Sequence, residues 1–375
     1  MDGEDLLSRT GVLGFGSGDR TLLHRLLRIR AHRRRDWDPL QSMNQSRRYV
    51  NWLLLFIPVA TFLFALFLGR YGIRVFDTVR VLLGLDGPTD VFRALILRVR
   101  LPRVLAAACV GANLAVVGAS FQGLFRNPLV DSRILGVSSG AAFGAALALL
   151  LTSQGMLIQA SAFAFAMVAI GLVMLVGMRF GSSTLVLVIG GILVGALFNS
   201  LLGLIKYVAD PLSTLPAITY WLLGSLNATQ WSDLPPLLSI TGLGLSFFML
   251  LRWRLNLLTV SDTEAMAMGI RVRLLRTILV SVGTLMVAAS VALAGTIGWI
   301  GLVVPHVARA WVGPDHGRLI PASAALGATT LILLDTVART VLPSEIPLGV
   351  LTGLIGVPAF FLLFLRFLRA RGEAR

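Results

Sequence analysis

The stretch VLAAACVGANLAVVGASFQGL occupies residues 104–124 and contains no charged residue. At about 1.5 Å per residue, a helix of this length crosses the roughly 30 Å hydrocarbon core of a bilayer. Of the 375 residues, 56% are hydrophobic and 14% are charged, whereas an ordinary soluble domain has about 25% charged residues. These proportions exclude a soluble enzyme or soluble binding domain for most of the chain. The sequence therefore predicts an all-α, polytopic membrane protein.

Other apolar runs lie on both sides of this stretch, and we expect about ten transmembrane helices in all. The predicted spans are 50–69, 104–124, 134–151, 158–178, 184–207, 235–251, 274–294, 297–311, 319–340 and 347–368. Five spans in each half is an odd number, so the second half would run opposite to the first. Two inverted five-helix halves are a common plan of transporters.

The arginines predict the orientation. An N terminus placed in the cytoplasm assigns most Lys and Arg residues to inner segments, as the positive-inside rule requires, and places the C terminus there too. The outer segment 70–103 breaks the rule because it contains seven arginines. Elsewhere the basic residues are scattered between apolar runs, which argues against a nucleic-acid partner despite the net charge of +15.

Several kinds of chemistry are excluded by residues that the chain lacks. Lys206 is the only lysine and follows Ile205, so no Gly-Lys step of a phosphate-binding loop exists. Cys109 is the only cysteine, and the four histidines have no zinc-binding spacing. We therefore expect neither an enzyme nor a metal or cofactor site in this chain. Any ATP-driven work must come from another polypeptide.

Five ordered segments resemble one family. They are RLPR (100–103), QGLFRNPLVDSRILGVSSGAAFG (122–144), LNLLTVSDTEAMAMGI (255–270), GWIGLVVPHVARAWVGPDHG (298–317) and DTVARTVLPSEIPLGVLTGLIGVPAFF (335–361). Together they resemble the FecCD-type permeases of binding-protein-dependent ABC importers, which include vitamin B12, haem and iron-siderophore permeases.

The resemblance implies an inner-membrane protein of a bacterium or archaeon that acts as a homodimer among membrane lipids. It implies two partner ATPase subunits, which bind ATP and Mg, and a periplasmic or lipid-anchored substrate-binding protein. The expected substrate is a metal chelate: a ferric siderophore first, then haem or cobalamin. An oxyanion such as molybdate is the alternative substrate, and an ion-coupled secondary carrier is the competing class.

The resemblance also divides the chain at about residue 50. Residues 50–370 would form the permease domain, and residues 1–49 a basic cytoplasmic tail that includes the cluster Arg33, Arg34 and Arg35. Met43 is a plausible natural start, in which case residues 1–42 are dispensable. The alternative is a basic segment, helical over residues 22–35, on anionic headgroups.

An inner loop is the candidate for coupling to the ATPase. Ser261 and Glu264 have the spacing of a capping box, and Gly269 can end the short helix. A bland amphipathic surface turn would have a similar sequence, but the resemblance implies contact with the ATPase subunit. The coupling residues are Ser261, Asp262, Thr263, Glu264, Ala265, Met266, Met268 and Gly269, of which Ala265, Met266 and Met268 would offer an apolar surface.

Three arginines are candidates for docking the binding protein. Arg100 and Arg103 lie three residues apart, on one helical face, and Arg339 would lie on the same side of the membrane. The resemblance implies that they receive acidic residues of the binding protein. The alternative is that Arg100 and Arg103 anchor to lipid headgroups while Arg339 pairs with Asp335 in its own helix.

Short polar turns predict a cytoplasmic gate, and polar residues within one span predict the pathway. The gate residues implied by the resemblance are Asn127, Pro128, Leu129, Ser182, Ser183 and Thr184, although ordinary turns remain an alternative. The pathway candidates are Asn199, Ser200 and Lys206. Helix–helix hydrogen bonding is the alternative for the first two.

Overall fold

The computed structural model describes residues 53–54, 56–69, 71–85, 89–181 and 183–372, and it is all-helical within these ranges. In chain order the α-helices are α1 (Phe56–Phe67), α2 (Val75–Leu82), α3 (Asp90–Ala94), α4 (Leu101–Leu124), α5 (Val137–Leu151), α6 (Gly155–Phe180), α7 (Thr184–Val208), α8 (Thr214–Leu223), α9 (Leu234–Leu250), α10 (Arg252–Leu258), α11 (Asp262–Ala267), α12 (Val272–Ala294), α13 (Ile300–Val312), α14 (His316–Thr340) and α15 (Leu348–Gly372). The tail 1–49, with Met43, and the gate candidate Ser182 lie outside the described residues.

Six helical stretches in the described ranges are long and apolar enough to cross a membrane. They are Asp90–Leu124, Gly155–Phe180, Thr184–Val208, Trp231–Leu250, Val272–Ala294 and His316–Thr340. Each of the ten predicted spans overlaps a helix, but α1, α5, α13 and the apolar part of α15 are shorter. The structure therefore confirms an all-α polytopic chain, whereas helix length alone assigns six spans.

Two of the shorter helices begin at a residue with a left-handed backbone. Gly136 precedes α5 with φ 75°, and Trp299 precedes α13 with φ 68°. Glycine adopts this conformation readily, but a bulky side chain does so only when its surroundings hold it there. These bends make the predicted spans 134–151 and 297–311 begin with non-helical residues.

Helix α4 lies at the centre of the bundle. Within the stretch Asp90–Leu124, 89% of the most apolar 18-residue window is buried, against 33% for α6 and 39% for α7. Helix α4 packs against α14 most extensively and also against α9, α12 and α13. Helix α4 is therefore surrounded by protein, while α6 and α7 leave large apolar faces uncovered.

Glycines bring α4 into backbone contact with its neighbours. A Cβ atom at Gly111 would overlap the carbonyl oxygen of Gly327 in α14, and one at Gly327 would overlap that of Gly111. A Cβ atom at Gly118 would likewise overlap the carbonyl oxygen of Gly301 in α13. Such close helix crossings are typical of membrane bundles, where small residues let backbones approach.

Gly140 and Gly144, four residues apart in α5, also lie at a close crossing. Their added Cβ atoms would meet the backbone of Phe165 and Ser161 in α6, and the Ser161 hydroxyl donates to the carbonyl of Gly144 at 2.7 Å. Glycines four residues apart therefore line the α5–α6 contact, whereas the α4 glycines that meet other backbones, Gly111 and Gly118, are seven residues apart.

We predict that Gly111→Ala and Gly327→Ala destabilise the protein, while Gly171→Ala does not. All three changes remove the helix penalty of glycine, about 1 kcal/mol. Only the first two insert a methyl group against a facing backbone, where overpacking costs about 1–3 kcal/mol, since Gly171 has nothing within 4 Å of its added Cβ. Thermal unfolding in detergent measures the difference, and equal melting temperatures for the three variants would contradict the crossing.

Candidate functional site

One end of the bundle, formed by residues 122–130, 252–271 and 309–316, carries the predicted coupling helix as α11. We call it the inner end because the sequence predicts that it faces the cytoplasm. The Ser261 hydroxyl accepts from the backbone N–H of Glu264 at 3.2 Å, and the Glu264 carboxylate accepts from the N–H of Ser261 at 3.1 Å. Helix α11 ends before Gly269, whose φ is 79°. The predicted capping box and its glycine stop are confirmed as local geometry.

The exposed surface of α11 is smaller than the sequence indicated. Met266 and Met268 are 56% and 49% exposed, but Ala265 is buried at 1%. The prediction that Ala265 contributes to this surface was wrong because its position on α11 faces the rest of the bundle. The flexible apolar surface at this end consists of the two methionines.

Asp262 connects α11 to two other segments. The Arg276 guanidinium in α12 donates to both of its carboxylate oxygens, at 2.9 and 3.1 Å. Arg126, just after α4, donates to one of the same oxygens. Burial by itself would raise the pKa of Asp262, but its bonds and charge attraction to Arg276, with those to Arg126, lower the pKa below its ordinary value. The carboxylate is therefore ionised at neutral pH.

An open pocket of about 560 Å³ lies beside this junction. Its wall includes Arg126, Asn256, Arg309 and His316. Asn256 accepts from the backbone N–H of His316 at 2.9 Å and so caps α14. The sequence predicts none of these four as site residues, since they come from four separate segments: the turn after α4, α10, α13 and α14.

The predicted gate turns are structured by local hydrogen bonds. Asn127 accepts from the N–H of Leu129 at 2.9 Å through its side chain, and Leu129 is 58% exposed. The Ser183 hydroxyl accepts from the N–H of Val186 at 3.3 Å, just before α7 begins at Thr184. Ordinary turn geometry accounts for these bonds, so a gating role for either turn stays a prediction.

The opposite end of the bundle, formed by residues 89–103 and 335–347, carries a largely buried charge cluster. We call it the outer end, following the predicted orientation. Arg103 donates through Nε to Asp335 at 2.9 Å, and through its two terminal nitrogens to Glu345 at 3.0 and 2.9 Å. Asp335 is 1% exposed. The cluster therefore ties α4 to α14 and to the segment before α15.

The other two docking candidates are also buried. Arg100 donates to the backbone carbonyls of Leu66 and Tyr71 at 2.9 and 2.8 Å. Arg339 donates to the carbonyl of Ala65 and lies 3.7 Å from Asp335. The Arg339–Asp335 pair is the intrahelical alternative considered from the sequence. A docking role for these arginines stays a prediction, and in this conformation they bind within the chain.

The pathway candidates lie on α7. Asn199 and Ser200 are exposed, and Lys206 is half-buried. The Ser200 hydroxyl donates to the carbonyl of Ala196 at 3.0 Å, within its own helix. In the described part of the chain, no group of three or more His, Cys, Asp or Glu residues is placed to hold a metal ion.

The long apolar helices define a multi-pass membrane protein, and the comparisons give its family. A family model described as the FecCD transport family matches residues 54–366. The match covers most of the chain. This chain belongs to the FecCD transport family and is a permease of the ABC importer class.

Three relatives illustrate the similarity. The molybdate import system permease protein MolB of Haemophilus influenzae is 38% identical over 84% of this chain and 95% of its own length. A probable iron chelatin transport system permease protein of Helicobacter pylori is 41% identical over 72% and 82%. A solved metal-chelate type ABC transporter in an inward-facing conformation has a TM-score of 0.78 and 37% identity, covering 85% of this chain and 99% of that one.

We predict that Asp335→Asn destabilises the permease by about 3–5 kcal/mol, the cost of breaking a buried ion pair. The substitution leaves the charges of Arg103 and Arg339 less well compensated. Asp90→Asn is the control because Asp90 is exposed at a helix start. Thermal unfolding in detergent should separate the two variants. An unchanged melting temperature for Asp335→Asn would mean that the cluster does not hold the outer end together.

Proposed function

We propose that this FecCD-family permease imports a metal chelate, with ferric siderophore as the first candidate and haem or cobalamin next. Support comes from the Helicobacter pylori relative, named for iron chelatin, and from the solved metal-chelate type transporter. Molybdate is the second candidate, favoured by the similarity to MolB over nearly its whole length. Both of these relatives are named as permeases, so the permease role is the same for either candidate substrate.

The proposed complex contains two copies of this chain, two ATPase subunits and one substrate-binding protein outside the membrane. The chain covers 95% of the length of the molybdate permease relative, which supports one permease unit per chain and hence a homodimer. ATP and Mg would be bound by the ATPase subunits, since this chain has no Gly-Lys step. The location would be the inner membrane.

We further propose ten membrane spans in two inverted five-helix halves, with both termini in the cytoplasm. The ten predicted spans overlap ten helices, and the shorter helices α5 and α13 occupy matching places in the two halves as the third span of each. Both begin at a left-handed residue. Short helices in corresponding positions of two halves are a known feature of inverted-repeat transporters.

The observation that carries the coupling proposal is the geometry of α11. It is a short helix held rigidly by its capping box and by two arginines on Asp262, yet it presents Met266 and Met268 to solvent. Methionine side chains fill irregular grooves readily. A rigid helix with an adaptable apolar surface suits a contact that moves with the ATPase subunit.

We predict that vesicles containing this permease and its ATPase subunit, supplied with the binding protein, take up the chelate only with ATP. Met266→Asp should reduce uptake and ATPase co-purification about tenfold or more, because a charge would enter the apolar contact. Met156→Asp is the control, an exposed methionine at the start of α6. Uptake that persists without ATP and collapses with an ion gradient would instead identify a secondary carrier. Replacing the chelate by molybdate in the same assay decides between the two substrates.

Docking of the binding protein at Arg100, Arg103 and Arg339 is a separate part of the proposal. We propose that carboxylates of the binding protein bind these guanidinium groups, whose fork geometry suits carboxylates. Arg103→Glu should weaken association several-fold, and raising the salt concentration should weaken it for the parent permease. Binding measured by titration at two salt concentrations gives both values. Full association of all three Arg→Glu variants would leave these residues with a structural role alone.

A further inference from the structure

Arg126 occupies a backbone position that ordinarily belongs to glycine. It has φ 50° and, with Trp299, is one of two non-glycine residues with positive φ in the described ranges. The N–H of Arg126 donates to the carbonyl of Gly123, and the N–H of Asn127 donates to that of Gln122, both at 3.1 Å. These two bonds form a Schellman motif that ends α4, with Arg126 at the left-handed position.

Glycine would satisfy this backbone better than arginine, because a Cβ atom is strained in the left-handed region. Strain of this kind persists where the side chain has a further role. The Arg126 side chain reaches from the end of α4 to Asp262, the first residue of α11. The residue that follows it, Asn127, begins the proposed gate turn.

Asp262 is held on its other side by Arg276. The Arg276 side chain is 2% exposed and belongs to α12, which packs against α4 and α6. A displacement of α11 therefore has two routes into the bundle, one through Arg126 to residues 127–129 and one through Arg276 to α12. The two routes differ in their arginine: the side chain of Arg276 is buried, whereas that of Arg126 is 35% exposed. Asp262, which both routes share, is 40% exposed.

We infer that Arg126 is a positioning residue that transmits movement of α11 to the turn 127–129. The inference rests on the proposed function, since it assigns a path between the ATPase contact and the gate. A partly exposed ion pair contributes little to folding stability. Transmission of α11 movement therefore explains the strained backbone and the charged side chain of Arg126 better than a contribution to folding stability does.

The test uses the complete complex of permease, ATPase subunit and binding protein in vesicles, and it measures transported chelate per hydrolysed ATP. The variants are Arg126→Gly, Arg126→Gln and Arg126→Lys. Arg126→Gly relieves the backbone strain while it removes the link. Arg126→Lys keeps a positive charge within reach of Asp262. Arg254→Gln is the control, because Arg254 is an exposed arginine of α10 at the same end.

Arg126→Gly and Arg126→Gln should lower the transport-to-hydrolysis ratio about threefold to tenfold, the range expected for one partly exposed charge-assisted hydrogen bond. Arg126→Lys should keep most of the ratio, and Arg254→Gln should keep all of it. The melting temperature of Arg126→Gly should equal or exceed that of the parent. If Arg126 had only a structural role, Arg126→Gly would keep the transport-to-hydrolysis ratio of the parent.

Two results would overturn the inference. One is a parental ratio for Arg126→Gly and Arg126→Gln in a complex that transports normally. The other is a loss of ratio that accompanies a lower melting temperature in Arg126→Gly. If the parent complex itself fails to transport with ATP, the proposed function fails instead, so the two failures are distinguishable.

Discussion

The backbone crossing of α4 and α14 at Gly111 and Gly327 is the constraint on which the rest of the structure depends. Because neither residue has a side chain, the two helices approach until their backbones touch, and α4 becomes enclosed by protein. Association of helices in lipid relies on such close packing, since apolar side chains gain little by leaving a hydrocarbon solvent. The crossing fixes where both ends of α4 lie.

Both ends of α4 are tied to other elements through arginines, but the two ties differ in burial. At the outer end, Arg103 binds the buried carboxylate of Asp335 and the partly exposed one of Glu345, and the buried pair with Asp335 is costly to break. At the inner end, the Arg126–Asp262 pair is partly exposed and therefore weaker. The Arg126 tie at the inner end is therefore weaker than the Arg103–Asp335 tie at the outer end.

Local chemistry made the coupling helix predictable. The capping box of Ser261 and Glu264 involves residues three apart, so sequence spacing contains the whole interaction. The arginines were harder to interpret because Arg103 binds residues more than two hundred positions away. The family resemblance implied a docking role for these arginines, whereas the structure holds their guanidinium groups inside the chain. Arg126 was not predicted as a site residue for the same reason, because its partner Asp262 lies 136 positions away in the sequence.

Hydropathy, capping and motif spacing act over short stretches of chain. The membrane class, the helical content, the family and the local form of α11 were therefore predictable without the structure. The tertiary structure alone decided that Ala265 is buried, that the glycines of α4 face Gly327 and Gly301, and which carboxylates the arginines bind. Those outcomes depend on how helices distant in sequence cross. A crossing is set by the combined shape of two surfaces, and neither surface can be read from one segment alone.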